Sequence, residues 1–320
     1  MKNVTTSFVL PVYNGEAVVA ATIDSVLAQT DPDFELIVVD DGSTDSTAEI
    51  LRQYVERDAR IRVITQPNAG ITRALIAGCA AARGQHIARQ DAGDLSDPRR
   101  LAVQKQFFQN ADVVFASCAT RYAGPNLEPL WINRPTGRGL EPAHVLQPFH
   151  RPLMTDGPTH HGSAMFRRDT YEVCGGYRSQ FYYGQDFDLW YRLGEHGKFQ
   201  TTNEILYTAR VTPDSLSGSG RRQQEILAEL SAQALEARQR GQSEEAILEA
   251  ARKVTRPPGR QRSNAGGFYF IGEALRRNRD PRAVNYLRRS VSTAPLSLKA
   301  WFRLGQALPL VLLRRKVDER

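Results

Sequence analysis

Four runs of β-branched and apolar residues, each followed by a stretch of helical periodicity, constrain this chain most. Thr6 to Val12, Leu36 to Val39, Ile61 to Thr65 and His86 to Gln90 alternate with helical patterns over Glu16 to Gln29, Ser46 to Val55, Ile71 to Ala82 and Pro98 to Gln109. Such alternation builds βαβ units around a largely parallel sheet. Leu36-Ile37-Val38-Val39 is apolar without interruption, as a strand buried on both faces requires. Ser46-Thr47-Ala48-Glu49 reads as a capping box ahead of its helix. A further strand is expected at Asp112 to Ser117, another at Ser163 to Arg167, and a helix from Asp186 to His196.

The pattern fails from Tyr122 to His161, where seven prolines fall in a loop-rich segment suited to shaping a substrate pocket. Pro213 to Gly220, rich in Ser and Gly, is the expected boundary between a domain over 1–217 and a region over 218–320. Two helical stretches follow it, split at Arg256-Pro257-Pro258-Gly259-Arg260. Ala283, Tyr286, Leu287 and Pro295 faintly resemble a tetratricopeptide hairpin, but three repeats are absent, so a small helical appendage is the reading. Charge separates the two parts: 1–217 hold 21 Lys and Arg against 25 Asp and Glu, whereas 218–320 hold 21 against 10. Different partners are expected for each.

Cys79, Cys118 and Cys174 lie far apart with no CxxC spacing, which argues against a disulfide framework or a cysteine zinc site. The longest apolar run, Ala307 to Leu313, is seven residues, far short of the roughly 18 that a membrane span needs. Phe8 to Val12 is too short for a secretory signal core. A cytoplasmic protein is the expectation.

In an open parallel sheet, ligands bind beyond the carboxyl ends of the strands. Those ends hold Pro11-Val12-Tyr13-Asn14-Gly15-Glu16, Asp40-Asp41-Gly42-Ser43 and Asp91-Ala92-Gly93-Asp94. Acidic groups gathered at one edge repel unless a cation, a sugar or a base answers them. Neither GxGxxG nor GxxxxGK[ST] follows the first strand. An acid-rich site without a glycine-rich loop can hold a nucleotide diphosphate through a divalent metal.

These motifs, with Gln66-Pro67-Asn68-Ala69-Gly70 and Arg73, Arg89-Gln90 before Asp91, and Pro98 with Arg100-Leu101, resemble the family 2 inverting glycosyltransferases of GT-A fold. Met165-Phe166-Arg167-Arg168, Gly175-Gly176-Tyr177-Arg178 and Gln185-Asp186-Phe187-Asp188-Leu189-Trp190 are similar to the acceptor-side part of that family. The resemblance covers roughly residues 5 to 210. It implies an α/β GT-A nucleotide-sugar-binding fold, its mostly parallel sheet flanked by helices, with the C-terminal helical region appended. It also implies that Pro11, Val12, Tyr13, Glu16, Asp41, Arg73, Asp91 and Ala92 bind the donor nucleotide. Pro11 and Tyr13 would line the base pocket, Asp41 would accept from the base, and Arg73 would sit near the pyrophosphate.

Asp186 would be the general base for a single inverting displacement, its pKa raised by burial and by Asp188. His160, His161 and Trp190 are the expected acceptor contacts, Trp190 as a floor one helical turn from Asp186. The family commonly reads Asp-Ala-Asp-Asp where this chain has Gly93 in the third place. Asp91 and Asp94 remain as expected ligands for Mg2+ or Mn2+, with His160 or His161 able to supply the missing one. Gln185 stands where the family often has Glu, removing one negative charge beside Asp186.

The implied function is transfer of a sugar from a nucleotide diphosphate, uridine-linked, to a hydroxyl of a glycan, lipid-linked sugar or protein in the bacterial cell envelope. The alternative is a catalytically reduced member acting as a binding or scaffold subunit through 218–320. Arg276-Arg277, Arg288-Arg289 and Arg314-Arg315-Lys316 flank apolar positions, so this region admits two readings: a helix resting on the anionic inner face of the membrane, or a solvated basic face beside an ordinary core. Nucleic-acid binding is not expected, because the positive charge lies in one region without an aromatic-basic motif.

Overall fold

The computed structural model describes residues 4–135, 157–214, 221–255 and 264–318. The expected boundary at Pro213 to Gly220, the break at Arg256 to Arg260 and most of the proline-rich loop lie largely outside these. Four parallel strands come first: β1 (Thr6–Val12), β2 (Phe34–Asp40), β3 (Ile61–Thr65) and β4 (His86–Arg89), in spatial order β3-β2-β1-β4. All seven residues of β1 and of β2 are buried. Period-two alternation then feeds two cores. Phe8, Leu10, Leu36 and Val38 face α1 (Val19–Leu27) and α2 (Thr47–Arg57), whereas Val9, Ile37 and Val39 face α3 (Ile71–Ala80). At Gly78 in α3 an added Cβ would stand 2.5 Å from Val9 Cγ1, so only glycine lets this helix lie so close to the sheet.

Beyond β4 the sheet changes direction. β5 (Leu95–Ser96), β6 (Val113–Ala123), β7 (Pro129–Asn133), β8 (Met165–Arg167) and β9 (Lys198–Arg210) complete nine strands in the order β3-β2-β1-β4-β8-β6-β9-β5, with β7 on β6. β8 runs antiparallel to both β4 and β6, and β5 antiparallel to β9. The parallel arrangement read from the sequence thus describes β1 to β4. Between these strands lie α4 (Arg100–Phe107), α5 (Arg168–Val173) and α6 (Gln185–Gly194).

The capping box expected at Ser46 is absent, since the Ser46 side chain makes no cap bond. Asp45 does that work, accepting from the Thr47 N–H at 3.0 Å, while Glu16 accepts from the Ser46 N–H at 2.9 Å. An Asp one residue earlier and a carboxylate from another loop outcompete the local serine.

The chain divides into two compact units. The first comprises 1–120, 133–209 and 222–255. It includes α7 (Arg221–Gln239) and α8 (Glu245–Lys253). A buried ion network joins these helices to α6. Asp188, 1% exposed, pairs with Arg178 and with Arg192 at 2.6 Å; Arg178 also reaches Glu244 at 2.7 Å, and Arg238 reaches Glu244 at 2.6 Å. The second unit comprises 121–132, 210–221 and 256–320. There α9 (Ala265–Arg277), α10 (Ala283–Thr293) and α11 (Leu298–Asp318) pack Phe268, Ile271, Leu275, Leu287 and Leu304 around Leu130. Tyr286 donates to Glu128 at 2.6 Å.

Removing one member of a buried charge pair strands the others. Asp188→Ala, which strips Arg192 of its carboxylate and leaves Arg178 with Glu244 alone, should cost about 3–5 kcal/mol, read as a lowered midpoint in urea unfolding. A loss under about 1 kcal/mol would mean that this network is not holding α6 in place.

Candidate active site

The register Val12↔Asp40 sets the ends of β1 and β2 side by side at one sheet edge. A lattice of short bonds stitches the two following loops. Asn14, at φ 49°, donates its N–H to Ser43 Oγ at 2.9 Å and accepts from the Thr44 N–H at 2.8 Å. Gly15 donates to Thr47 Oγ1 at 2.8 Å. Glu16 belongs to this lattice through Ser46. Pro11 and Val12 are buried within β1, and Tyr13, 51% exposed, is the first side chain to leave it.

Asp41 is 3% exposed. One carboxylate oxygen accepts from Gln66 Nε2 at 2.6 Å and from the Ala69 N–H at 2.9 Å; the other accepts from the Gly70 N–H at 2.7 Å. It therefore fixes the Gln66 to Gly70 loop ahead of α3. A carboxylate offers about four lone-pair sites, so acceptor capacity remains. Arg73 lies exposed in the first turn of α3, just past that loop.

The carboxyl end of β4 carries the densest chemistry. Arg89 is completely buried and pairs through Nη2 with one oxygen of Asp91. Burial works against ionisation of Asp91 and Arg89 overrides it, holding the carboxyl below its ordinary value. Tyr207 on β9 accepts from the Asp91 N–H at 3.1 Å and donates to Asp94 Oδ2 at 2.9 Å. Burial, then the Asp94 and Asp91 charges, push its phenol far up, so it remains a donor. His160 stacks on the Tyr207 ring at 5.4 Å, and its Nδ1 lies 3.9 Å from Asp91 Oδ2 and 3.7 Å from Asp94 Oδ2. Asp91, Asp94 and His160 each offer a ligand atom within 4.8 Å of the others.

Two carboxylates suit a divalent ion, and burial, by lowering the His160 pKa, keeps its imidazole neutral; His160 Nδ1 accepts from the Gly162 N–H at 3.0 Å and would have to give up that bond to join them. Ala92 is half-buried between them in sequence, and Gly93 directs no group at the trio. Gly93 sits at φ 98°, and an added Cβ would meet only Val18, beyond 3.7 Å. Its N–H donates to Thr22 Oγ1 on α1 at 2.9 Å. The loop conformation, rather than lack of room, selects glycine.

His161 faces elsewhere. Its Nε2 lies 2.7 Å from the Tyr177 hydroxyl and 3.4 Å from Arg89 Nε, and since guanidinium only donates, this nitrogen is the bare one. Burial, then the Arg89 charge, lower its pKa well below the ordinary value. Trp190, expected to floor an acceptor site, is 3% exposed; its ring stacks on Phe115 at 5.7 Å and meets His161 edge-on. It is a core side chain that sets the His161 ring.

Asp186 is half-buried in the first turn of α6. Burial raises its pKa, backbone N–H groups of Phe187 and Asp186 oppose this, and the Asp91 charge adds to the rise. Asp188, expected to be the neighbour responsible, is neutralised by Arg178 and Arg192, so Asp91 takes that part. Sequence reasoning missed Tyr207 altogether. Its only signal was a tyrosine in a strand, and the pairing Ser96↔Tyr207 that brings it to Asp94 is nonlocal.

Residues 7–174 match the family model for glycosyl transferase family 2. Over 216 residues the chain is 34% identical to the putative glycosyltransferase EpsE of Bacillus subtilis, covering 65% of this chain and 74% of that one. Over 212 residues it is 26% identical to the chondroitin synthase of Pasteurella multocida, covering 66% of this chain. The chain spans about a fifth (21%) of that synthase's length. The fold is shared with S. aureus TarS 1–349 in complex with UDP, at a TM-score of 0.54 and 14% identity, over 96% of this chain and 88% of that one. That likeness is one of fold, the GT-A architecture.

Restoring the common third-position carboxylate should not help. Gly93→Asp places a side chain at φ 98° and should destabilise by about 1–2 kcal/mol in denaturant unfolding. It should leave Mn2+ affinity, read calorimetrically, unimproved. A tighter, undestabilised variant would show that this loop tolerates the common pattern.

Proposed function

The chain belongs to glycosyl transferase family 2, a family of enzymes, and we propose that it moves a sugar from a UDP-linked donor to an acceptor hydroxyl with inversion, using Asp186 as general base. One observation carries the reading: a carboxylate whose pKa burial raises, bonded among the described residues to the backbone of its own turn, lies within electrostatic reach of the Asp91 cluster. A base must be ionised at working pH yet basic enough to take a hydroxyl proton, and a raised carboxylate pKa serves both. Asp186 would take that proton as the acceptor oxygen attacks the anomeric carbon and the bond to the nucleotide diphosphate breaks. Tyr13, above buried Pro11 and Val12, would line the base. Asp41 would use its spare acceptor capacity on the base while Glu16 keeps the loop in shape, and Arg73 would face the pyrophosphate.

Asp91, Asp94 and His160 would hold Mg2+ or Mn2+, with Ala92 lining the turn between them; such an ion supplies positive charge for the diphosphate leaving group. His161 would position groups beside Arg89, and Trp190 would act through His161. The catalytic domain is taken as residues 1–217, with 218–320 appended. The acceptor would be a hydroxyl of a glycan, a lipid-linked sugar or a protein in the bacterial cell envelope, and the likeness to a chondroitin synthase supports the glycan among these. The basic C-terminal region would rest on the inner face of the cell membrane, leaving the enzyme in the cytoplasm. The scaffold alternative is not favoured, because the charged cluster and the candidate base are both present.

Asp186→Asn should lower transfer about 10²–10⁴-fold while sparing UDP binding; unchanged turnover would remove Asp186 from this role. In the wild type, kcat should fall as pH drops through the Asp186 pKa, since protonation removes the base, with the acid limb shifted upward from that of an exposed aspartate. Calorimetry with UDP, and GDP as control, should show UDP binding with Mn2+ that is lost in EDTA and weakened about 10–100-fold by His160→Ala. Binding that survives EDTA would point instead to Arg73 and the histidines as the groups neutralising the diphosphate. No binding at all would revive the scaffold reading.

A further inference from the structure

The last helix, α11, is apolar on two opposite faces. Ala300, Leu304 and Ala307 are buried in the core of the second unit. Leu298, Trp301, Phe302 and Leu308 project the other way and are 82%, 52%, 61% and 43% exposed, with Leu296 just before them at 95%. Their spacing of three, one and six, with Gly305 and Pro309 on the same face, makes one continuous strip. Large contiguous exposed apolar surface marks an interaction site. From Leu298 to Pro309 the strip runs about 17 Å at 1.5 Å per residue, and no described helix is long and apolar enough to cross a membrane.

Charge identifies the partner. Residues 256–320 hold 15 Lys and Arg against four Asp and Glu, so the entire +11 of residues 218–320 falls in this stretch. Two copies brought face to face would repel, whereas an anionic surface would be attracted. Lys299 and Arg303 flank the strip, and beside them a hollow of about 500 Å³ opens against Trp131, Tyr269 and Phe270. In sequence, Arg314-Arg315-Lys316 follow. Trp301 is fixed by an indole N–H bond to the Pro295 carbonyl at 2.9 Å, and exposed tryptophan favours the membrane interface.

We propose that this strip of α11 lies in the plane of an anionic lipid bilayer, with Leu296, Leu298, Trp301, Phe302 and Leu308 entering the headgroup boundary while flanking Lys and Arg meet lipid phosphates. This rests on the membrane contact proposed above and names the side chains that make it. The arrangement is that of an interfacial helix, in which apolar insertion and charge attraction act together.

The test is co-sedimentation of the full chain with vesicles of phosphatidylcholine and phosphatidylglycerol in equal parts, and with phosphatidylcholine alone. Binding to the mixed vesicles should be at least about ten-fold stronger, and Trp301→Ser with Phe302→Ser should reduce it about ten-fold or more. Leu298→Ser with Leu308→Ser should act in the same direction. Both variants should keep wild-type UDP binding, since none of these residues lies in the donor site, and an unchanged circular-dichroism spectrum and melt should show that the second unit stays folded. Absence of vesicle binding by the wild type would overturn both the membrane contact and the strip. Binding untouched by either variant would overturn the strip alone. A dimer in sedimentation velocity that the variants abolish would assign this face to a second copy and overturn the proposal.

Discussion

A guanidinium sealed inside the molecule organises the site. Arg100 is 0% exposed, and burial lowers its pKa, yet arginine starts so high that it stays a cation. A buried charge survives only if its donors are all answered. Arg100 bonds Gln104 Oε1 at 3.0 Å, Ser96 Oγ at 3.0 Å, Gln90 Oε1 at 3.3 Å, and the Arg89 and Ala164 carbonyls at 2.9 and 3.2 Å. Its plane lies over the Tyr207 ring at 5.0 Å. Gln90, Ser96 and the Arg89 and Ala164 carbonyls sit on the segments that carry Asp91, Asp94 and the histidine pair, while Gln104 on α4 and Tyr207 on β9 close around them. The same contacts that prevent an orphaned charge therefore fix the separation of the cluster. They also explain why a strand of four residues, β4, is followed by so well determined a turn.

A second buried arginine then divides Asp91 between two tasks. Arg89 occupies one oxygen, which keeps the carboxyl ionised, and leaves the other turned toward His160 and Asp94. Tyr207 draws Asp94 to the same side by bonding both residues at once. With Gly93 given over to a bond with Thr22, the loop contributes its two outer carboxylates, and an imidazole from another segment faces them. The substitution at position 93 and the presence of His160 are thus parts of one arrangement.

The helices and strands of the first hundred residues were legible because their apolar periodicity is local and unmixed: β1 and β2 alternate between two cores, so both phases are apolar and read as continuous runs. The parallel register then followed from the βαβ rule. The antiparallel half was less legible, since β5 is only two residues long and β9 pairs with a segment more than a hundred residues away. Asp41, Asp91, Asp94 and Asp186 were visible as motifs. Tyr207 was not, nor was the neutralisation of Asp188, because each depends on a partner whose place only the fold decides. Trp190 misled for the same reason: i to i+4 spacing aligns two side chains along a helix but does not say which way that face is turned.

The contrast between Asp186 and Asp188 shows how far environment, rather than residue type, assigns chemistry. Both lie in the first turn of α6, where the helix dipole favours a negative charge on either. Asp188 turns toward Arg178 and Arg192, and those two guanidiniums are in turn shared with Glu244 and the Cys174 carbonyl. Its charge is spent on holding α6 against the helices that follow. Among the described residues Asp186 accepts from backbone N–H groups of its own turn, and it feels the negative charge of Asp91, which Arg89 partly offsets. The first carboxylate is committed to two guanidiniums, and the second, its pKa raised by burial, is the one left to take up a proton. Had the two been exchanged along the helix, the network would have consumed the base and exposed the anchor. The position of one helix relative to two arginines is what separates them.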